Sequence, residues 1–159
     1  LSPAEINIAP IADHLHLIPL LGRWYWGEWG PFEPERPLED WVAMLVPRTL
    51  RDEIPTIYVA LTGEVPVGTA SLIPQDMSTH LEFSPWLAGV YVVPEHRRQG
   101  IGRALVHRVV RTAAALGVSR LYLFTDSAQR WYADMGWAEI GREFYLGREV
   151  TIMRIEPVG

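Results

Sequence analysis

The period of the hydrophobic positions changes several times along the chain, and each change marks an element. Val90, Val92 and Val93 form a β-branched run that stops at Pro94. A basic stretch and Gly100-Ile101-Gly102 follow. Apolar residues then recur four apart at Ile101, Leu105, Val109 and Ala113, with Val106 and Val110 beside them. The alternation predicts a central strand over 87–93, and the spacing of four predicts the longest helix over 100–116. Gly117 is placed to end that helix. Residues 56–61 and 67–73 read as strands joined by a turn at Gly63-Glu64, and 121–125 as a further strand. Residues 137–145 and 148–155 form a terminal pair around Leu146-Gly147.

Before the first hairpin the pattern turns helical. Residues 6–8 make a short first strand. A helix over 16–29 carries Leu20, Leu21, Trp24, Tyr25 and Trp29, with Pro19 tolerated only in its first turn. Gly30-Pro31 stops it, and Pro31, Pro34 and Pro37 stiffen the loop behind it. A second amphipathic helix covers 38–46, with Glu39 and Asp40 in the first turn where the dipole favours them, and Pro47 ends it. Residues 74–85 are a polar loop, and 128–135 a short helix ending at Gly136. The order β-α-α-β-β-β-α-β-α-β-β predicts a mixed sheet with helices on its faces, in the α/β or α+β class. It does not fix the strand order. Neither repeat, linker nor low-complexity tract interrupts the chain, so a single domain over 1–159 is expected.

Composition narrows the function classes. The chain has 159 residues, 48% of them hydrophobic and 21% charged, which is ordinary for a globular domain. No apolar run approaches the ~20 residues that span a bilayer. Residues 15–21 are apolar but lack a basic flank before them, so they do not read as a signal peptide. The chain starts at Leu1 rather than Met, so further residues can precede it. The absence of cysteine excludes disulfides, thiolate zinc sites and a cysteine nucleophile, and suits a cytoplasmic location. A net charge of −5 argues against nucleic acid as a partner and is compatible with an amine substrate. The five histidines, His14, His16, His80, His96 and His107, show no metal-ligand spacing, so no metal is expected.

The candidate chemistry begins at the glycines. A helix start leaves backbone N–H groups unpaired at the positive end of the dipole. Arg98, Gln99, Gly100, Ile101, Gly102 and Arg103 therefore form a candidate pyrophosphate cradle, since a Cβ would hold a phosphate off. The plainer alternative is a tight turn with glycines for packing. A dinucleotide fold would put G-x-G-x-x-G directly after the strand. Here Leu105 replaces the third glycine and six residues separate Val93 from Gly100, although Asp126 does follow the next strand. A P-loop needs a lysine that this stretch lacks.

Arg97-Arg98-Gln99-Gly100-Ile101-Gly102 matches the pattern R/Q-x-x-G-x-G/A, and the flanking VYVVPEH and RALV fit as well. Downstream, Trp131-Tyr132-Ala133-Asp134-Met135-Gly136-Trp137 is similar to the segment LYEKLGF. Together these motifs resemble the acetyl-CoA site of the GNAT N-acetyltransferases, over about residues 57–155 and weakly before that. The resemblance implies a mostly antiparallel sheet splayed at the cofactor strand, and acetyl-CoA as co-substrate. Val90, Tyr91 and Val92 would pair with the pantetheine arm like an added strand, and residues 98–103 would hold the pyrophosphate. An amine would attack the thioester directly, with a base to take its proton and an acid for the leaving thiolate.

Tyr132 matches the tyrosine that often serves as that acid, although Ala128, Trp131, Tyr132 and Met135 also share one packing face. Thr125 stands where many relatives carry an asparagine that bonds the cofactor arm. The position where some relatives carry a basic carboxylate is Trp86, so the candidate bases are Glu82, His80, Glu28 or an ordered water. Glu28, among Trp24, Tyr25, Trp26 and Trp29, could also hold the acceptor ammonium, helped by cation–π attraction. Arg103, in the first turn of the long helix, is expected near the phosphates. The acceptor is expected to be a small-molecule amine or a peptide N-terminus, and a homodimer is compatible with the sequence. Two rivals remain: a CoA-binding sensor without turnover, which Trp86 favours, and a nucleotide-dependent oxidoreductase.

Overall fold

The computed structural model describes residues 5–158. Seven strands, β1 (Ile6–Pro10), β2 (Thr56–Thr62), β3 (Val65–Ile73), β4 (Trp86–Val92), β5 (Leu121–Thr125), β6 (Ala138–Tyr145) and β7 (Arg148–Ile155), form one sheet in the order β1-β2-β3-β4-β5-β7-β6. All neighbours are antiparallel except β4 and β5. The helices are α1 (Ile18–Trp29), α2 (Leu38–Leu45), α3 (Ile101–Ala115) and the short α4 (Gln129–Ala133). The expected mixed α/β architecture is present. No helix among the described residues is long and apolar enough to cross a membrane.

The ends moved for local reasons. The helix expected from residue 16 starts at Ile18, because Pro19 sits in its first turn and a 3-10 turn at Leu15–Leu17 leads in. α4 is shorter than expected. Its chain turns back through Met135 N–H to Tyr132 O and a left-handed Gly136. β1 runs on to Pro10, which still pairs opposite Tyr58.

β2 shows how the two layers form. Tyr58 and Ala60 face α3, joining Leu105, Val106, Val109 and Ala113 in one core. Ile57, Val59 and Leu61 face the other way, onto Leu21, Tyr25, Trp41 and Leu45 of α1 and α2. Successive strand residues point to opposite faces, and both faces are covered. This is why the strand reads as an unbroken apolar run. A third cluster joins Ile73, Met77, Trp86, Tyr122, Val150 and Ile152 beneath the loop between β3 and β4.

Two irregularities shape the middle of the sheet. β4 and β5 pair only at Trp86 and Tyr122, and beyond that pair the strands part. On its other edge β4 carries a bulge, for Gly89 and Val90 together oppose Ala70. Gly89 has φ +62° there. Trp86 is wholly buried, and its indole N–H donates to Phe83 O at 2.8 Å. Phe83 stacks on Tyr122, 4.5 Å between centroids.

The loop between β3 and β4 is fastened to β6. His80 Nδ1 lies 3.0 Å from Glu82 Oε1, and its Nε2 meets Glu143. Thr79 Oγ1 donates to Glu143 at 2.8 Å, and Ser78 N–H to the Tyr145 hydroxyl at 3.2 Å. The Glu143 and Glu82 carboxylates raise His80 above its ordinary 6.5, and His80 holds both below the ordinary 4.5. The histidine's share of stability is full below pH 6.5 and fades as pH climbs through its raised value. The glutamates' share is full above pH 4.5 and fades on acidification. We expect His80→Gln to lower the melting temperature more at about pH 5.5 than at about pH 8.5. Equal losses at both pH values would reduce this clasp to neutral packing.

Candidate active site

The parting of β4 from β5 opens a cleft of about 1110 Å³. Residues 87–92 of β4 form one wall and residues 123–125 of β5 the other, with the start of α3 at one end and the loops after α1, α2 and β3 at the opposite end. Along the first wall, the edge of β4 that faces β5 has no strand partner past Trp86. Apart from Val92 O, which accepts from Arg97 Nε, backbone groups along the Val90–Val92 segment are therefore available to an extended ligand, as an added strand would use them.

Tyr25 of α1 holds the bulge from below. Its hydroxyl lies 2.9 Å from Ser71 Oγ and donates to Gly89 O at 3.3 Å. Burial pushes this phenol's pKa up, so it stays a donor. A Cβ on Gly89 would run into the Tyr25 ring and hydroxyl.

At the glycine end, Gly100 caps α3 with φ +81° and offers no side chain to the helix. Nothing stands within 4 Å of where its Cβ would be. The first N–H groups of α3 thus face open space, and Arg98, Gly100, Ile101, Gly102 and Arg103 all line the cleft. Arg98 itself is left-handed, φ +63°. Gly102 lies close under Trp131, whose ring is 3.3 Å from the position of a Cβ. Gln99 is exposed and lies outside the lining. Arg97 braces the turn: its Nε donates to Val92 O at 2.9 Å, and its Nη2 lies 3.8 Å from Glu28. His96 lines the cleft with Nδ1 buried and unpartnered among the described residues.

Tyr132 belongs both to a packing face and to the cleft wall. Its ring packs edge-on against Trp131 and Trp137, and the residue lines the cleft. Desolvation alone drives its pKa well up, with no hydrogen bond contributing. Thr125 also lines the cleft, and its Oγ1 accepts the Ala128 N–H at 3.0 Å in the turn before α4. Thr125 accepts in that bond, which leaves its own O–H as a donor.

The candidate bases separate. Glu82 and His80 lie outside the cleft lining, bonded to each other and exposed to solvent or turned to β6. Glu82, a candidate base on this loop, is bonded to His80. Glu28 lines the cleft, half exposed and paired with Arg97. Trp86 is a core residue.

Asp76, in the same loop, was not anticipated from the sequence. It lines the cleft, and burial raises its carboxyl to about 7; Arg48 and Arg148 oppose that rise and Glu33 adds to it. The available signal was its neighbour Met77, an apolar residue in a mostly polar loop, which is buried and draws the loop inward. A carboxyl that exchanges a proton near neutrality is suited to general-base work.

The bulge can be tested directly. Gly89→Ala combines a left-handed alanine with a clash against Tyr25. It should cost roughly 2–4 kcal/mol by denaturant titration, whereas Tyr25→Phe should cost only about 1 kcal/mol. Wild-type stability in Gly89→Ala would show that the bulge is not held by this contact.

A model of the acetyltransferase (GNAT) family matches residues 18–137, which takes in α1 and α2 as well as both glycine and tyrosine motifs. Human N-acetyltransferase 8 is 37% identical over 92 residues, covering 55% of this chain and 40% of that protein. The chain therefore spans less than half the length of this curated relative. Among solved structures, aminoglycoside 6'-acetyltransferase type Ii is similar with a TM-score of 0.73 at 19% identity, over 96% of this chain and 98% of its own. The yncA structure from Salmonella typhimurium, solved with its cofactor acetyl-CoA, gives 0.72 at 18% identity, over 98% and 95%. At such identities the structural likeness is one of fold, while the family match covers the strands, helix and turn that build the cleft. This chain belongs to the acetyltransferase (GNAT) family.

Proposed function

We propose that the chain is an acetyl-CoA-dependent N-acetyltransferase acting on a primary amine. The observation that carries this reading is the cleft itself, with an uncapped helix start at one end and a proton-exchanging carboxyl, Asp76, at the other. Family membership supports it, as do the human N-acetyltransferase relative and the acetyl-CoA found in the yncA structure.

Acetyl-CoA supplies an activated thioester. The residues that would hold it are Arg98, Gly100, Ile101, Gly102 and Arg103 at the pyrophosphate, and the free edge of Val90, Tyr91 and Val92 along the pantetheine arm. Gln99 contributes its backbone only. Asp76 takes the proton that the acceptor amine loses as its nitrogen bonds to the acetyl carbon. Tyr132 donates its phenolic proton to the thiolate as the carbon–sulfur bond breaks. Its raised pKa keeps that proton in place at neutral pH until the thiolate forms beside it.

The sensor alternative drew its support from Trp86 in place of a carboxylate. Trp86 is fully occupied as a packing residue, and Asp76 supplies a carboxyl from the neighbouring loop instead. Nothing in the cleft favours an oxidoreductase.

Binding of acetyl-CoA by calorimetry and release of free CoA with a panel of primary amines test the reading, and no binding heat would end it. We expect Tyr132→Phe to lower kcat by about 100-fold with the acetyl-CoA Kd unchanged. In the wild type, kcat/KM should rise with pH through about 7 as Asp76 ionises. Asp76→Asn should lose that rise along with about 100-fold or more of the activity. An unaltered pH profile in Asp76→Asn would assign the proton to water.

A further inference from the structure

Arg148, the first residue of β7, stands at the acceptor end of the cleft in an unusual state. Its guanidinium lies over the Phe32 ring at 3.7 Å and near Phe124 at 5.9 Å. The side chain is 15% exposed, and both Nε and Nη1 are buried without a hydrogen-bond partner among the described residues. Its ion-pair partner is Asp126, with Oδ2 3.5 Å from Nε and no hydrogen bond between them. A buried guanidinium with unmade donors is costly, and its fork geometry matches a carboxylate.

The neighbouring cations sharpen the picture. Arg36 is committed, with Nη1 3.6 Å from Glu33, Nη2 3.2 Å from Met44 Sδ, and its guanidinium over Trp41 at 4.3 Å. Arg48 lines the cleft half-buried, with neither ion pair nor side-chain hydrogen bond among the described residues. Arg48 and Arg148 both act electrostatically on Asp76. The acceptor end therefore presents, close together, a carboxyl suited to an ammonium and two cations with free donors.

We propose that the acceptor is an amino carboxylate, a free amino acid or close analogue, whose carboxylate is gripped by Arg148 with Arg48 beside it while its amine faces Asp76. The inference rests on the N-acetyltransferase reading above and narrows it, because an internal-peptide N-terminus carries no carboxylate next to its amine. The aromatic walls at Phe32 and Tyr145 fit an apolar side chain on that acid.

The test compares L-phenylalanine, L-leucine and L-methionine with phenethylamine and phenylalaninamide as acceptors, at saturating acetyl-CoA, by CoA release. The acids should be preferred by ~10- to 100-fold in kcat/KM, the range that one or two charge-assisted hydrogen bonds confer. Arg148→Gln should lower kcat/KM for the acids by ~10- to 100-fold more than for phenethylamine, whose smaller change reports the loss of a positive charge beside Asp76, and leave the acetyl-CoA Kd unchanged; Arg148→Lys should restore part of the loss. Melting curves check that each variant folds. If Arg148→Gln does not fold, the acid-against-amine preference of the wild type decides alone. Equal use of acids and amines, no turnover of any acid, or weakened acetyl-CoA binding in Arg148→Gln overturns the inference. A chain that binds acetyl-CoA and acetylates amines without regard to a carboxylate fails this inference only, whereas one that binds no acetyl-CoA fails the underlying reading too.

Discussion

Trp86 and Tyr122 are the one residue pair through which β4 and β5 touch as strands, and the cleft depends on that pairing being single. Were the ladder continued, the backbone groups at Val90–Val92 would be spent on β5. Burial of Trp86 and the Phe83–Tyr122 stack hold the strands together at one end. At the other end the Gly89–Val90 bulge, supported by Tyr25, bends β4. A packed aromatic cluster and a strand irregularity thus do between them what neither does alone, which is to leave a parallel pair half open in an otherwise continuous sheet.

Burial in the cleft acts differently on its acids and its bases. Desolvation lifts Asp76 to about 7, so this carboxyl exchanges protons near neutrality. The same surroundings cannot neutralise Arg148, because a guanidinium keeps its proton at any ordinary pH. It is held instead by its aromatic neighbour and left with unmade bonds. One environment therefore creates a proton acceptor and a fixed anion site from two residues that would be unremarked surface charges if exposed.

Much of the fold was legible because strong local patterns carry it. The four-residue spacing of α3, the apolar run of β2 and the turn at Gly63 correspond to observed elements within a residue or two. The glycine motif was legible for the same reason: conformational freedom at Gly100 leaves a local mark in the sequence. The acceptor end was not. Asp76 and Arg148 are separated by most of the second half of the chain, and only closure of β5, β7 and β6 onto the loop after β3 brings them together. Glu82 was a reasonable candidate by counting along a strand. Its side chain instead answers to His80 and Glu143, a contact across 63 residues between His80 and Glu143 that no spacing rule records. Trp86 was noticed as an odd residue, but its role as a hinge pin needs the strand order, which periodicity does not supply.

The half-open pair has a consequence for how such a site changes over time. The ladders on either side, β1 to β4 and β5 to β6, are complete without each other apart from one residue pair. The width of the cleft is therefore set by side-chain volume between two finished half-sheets and not by strand register. Register shifts only in whole residues and inverts every side chain when it does. Volume can be adjusted a methylene at a time, so the aperture is open to gradual tuning while the hydrogen-bonded frame around it stays fixed.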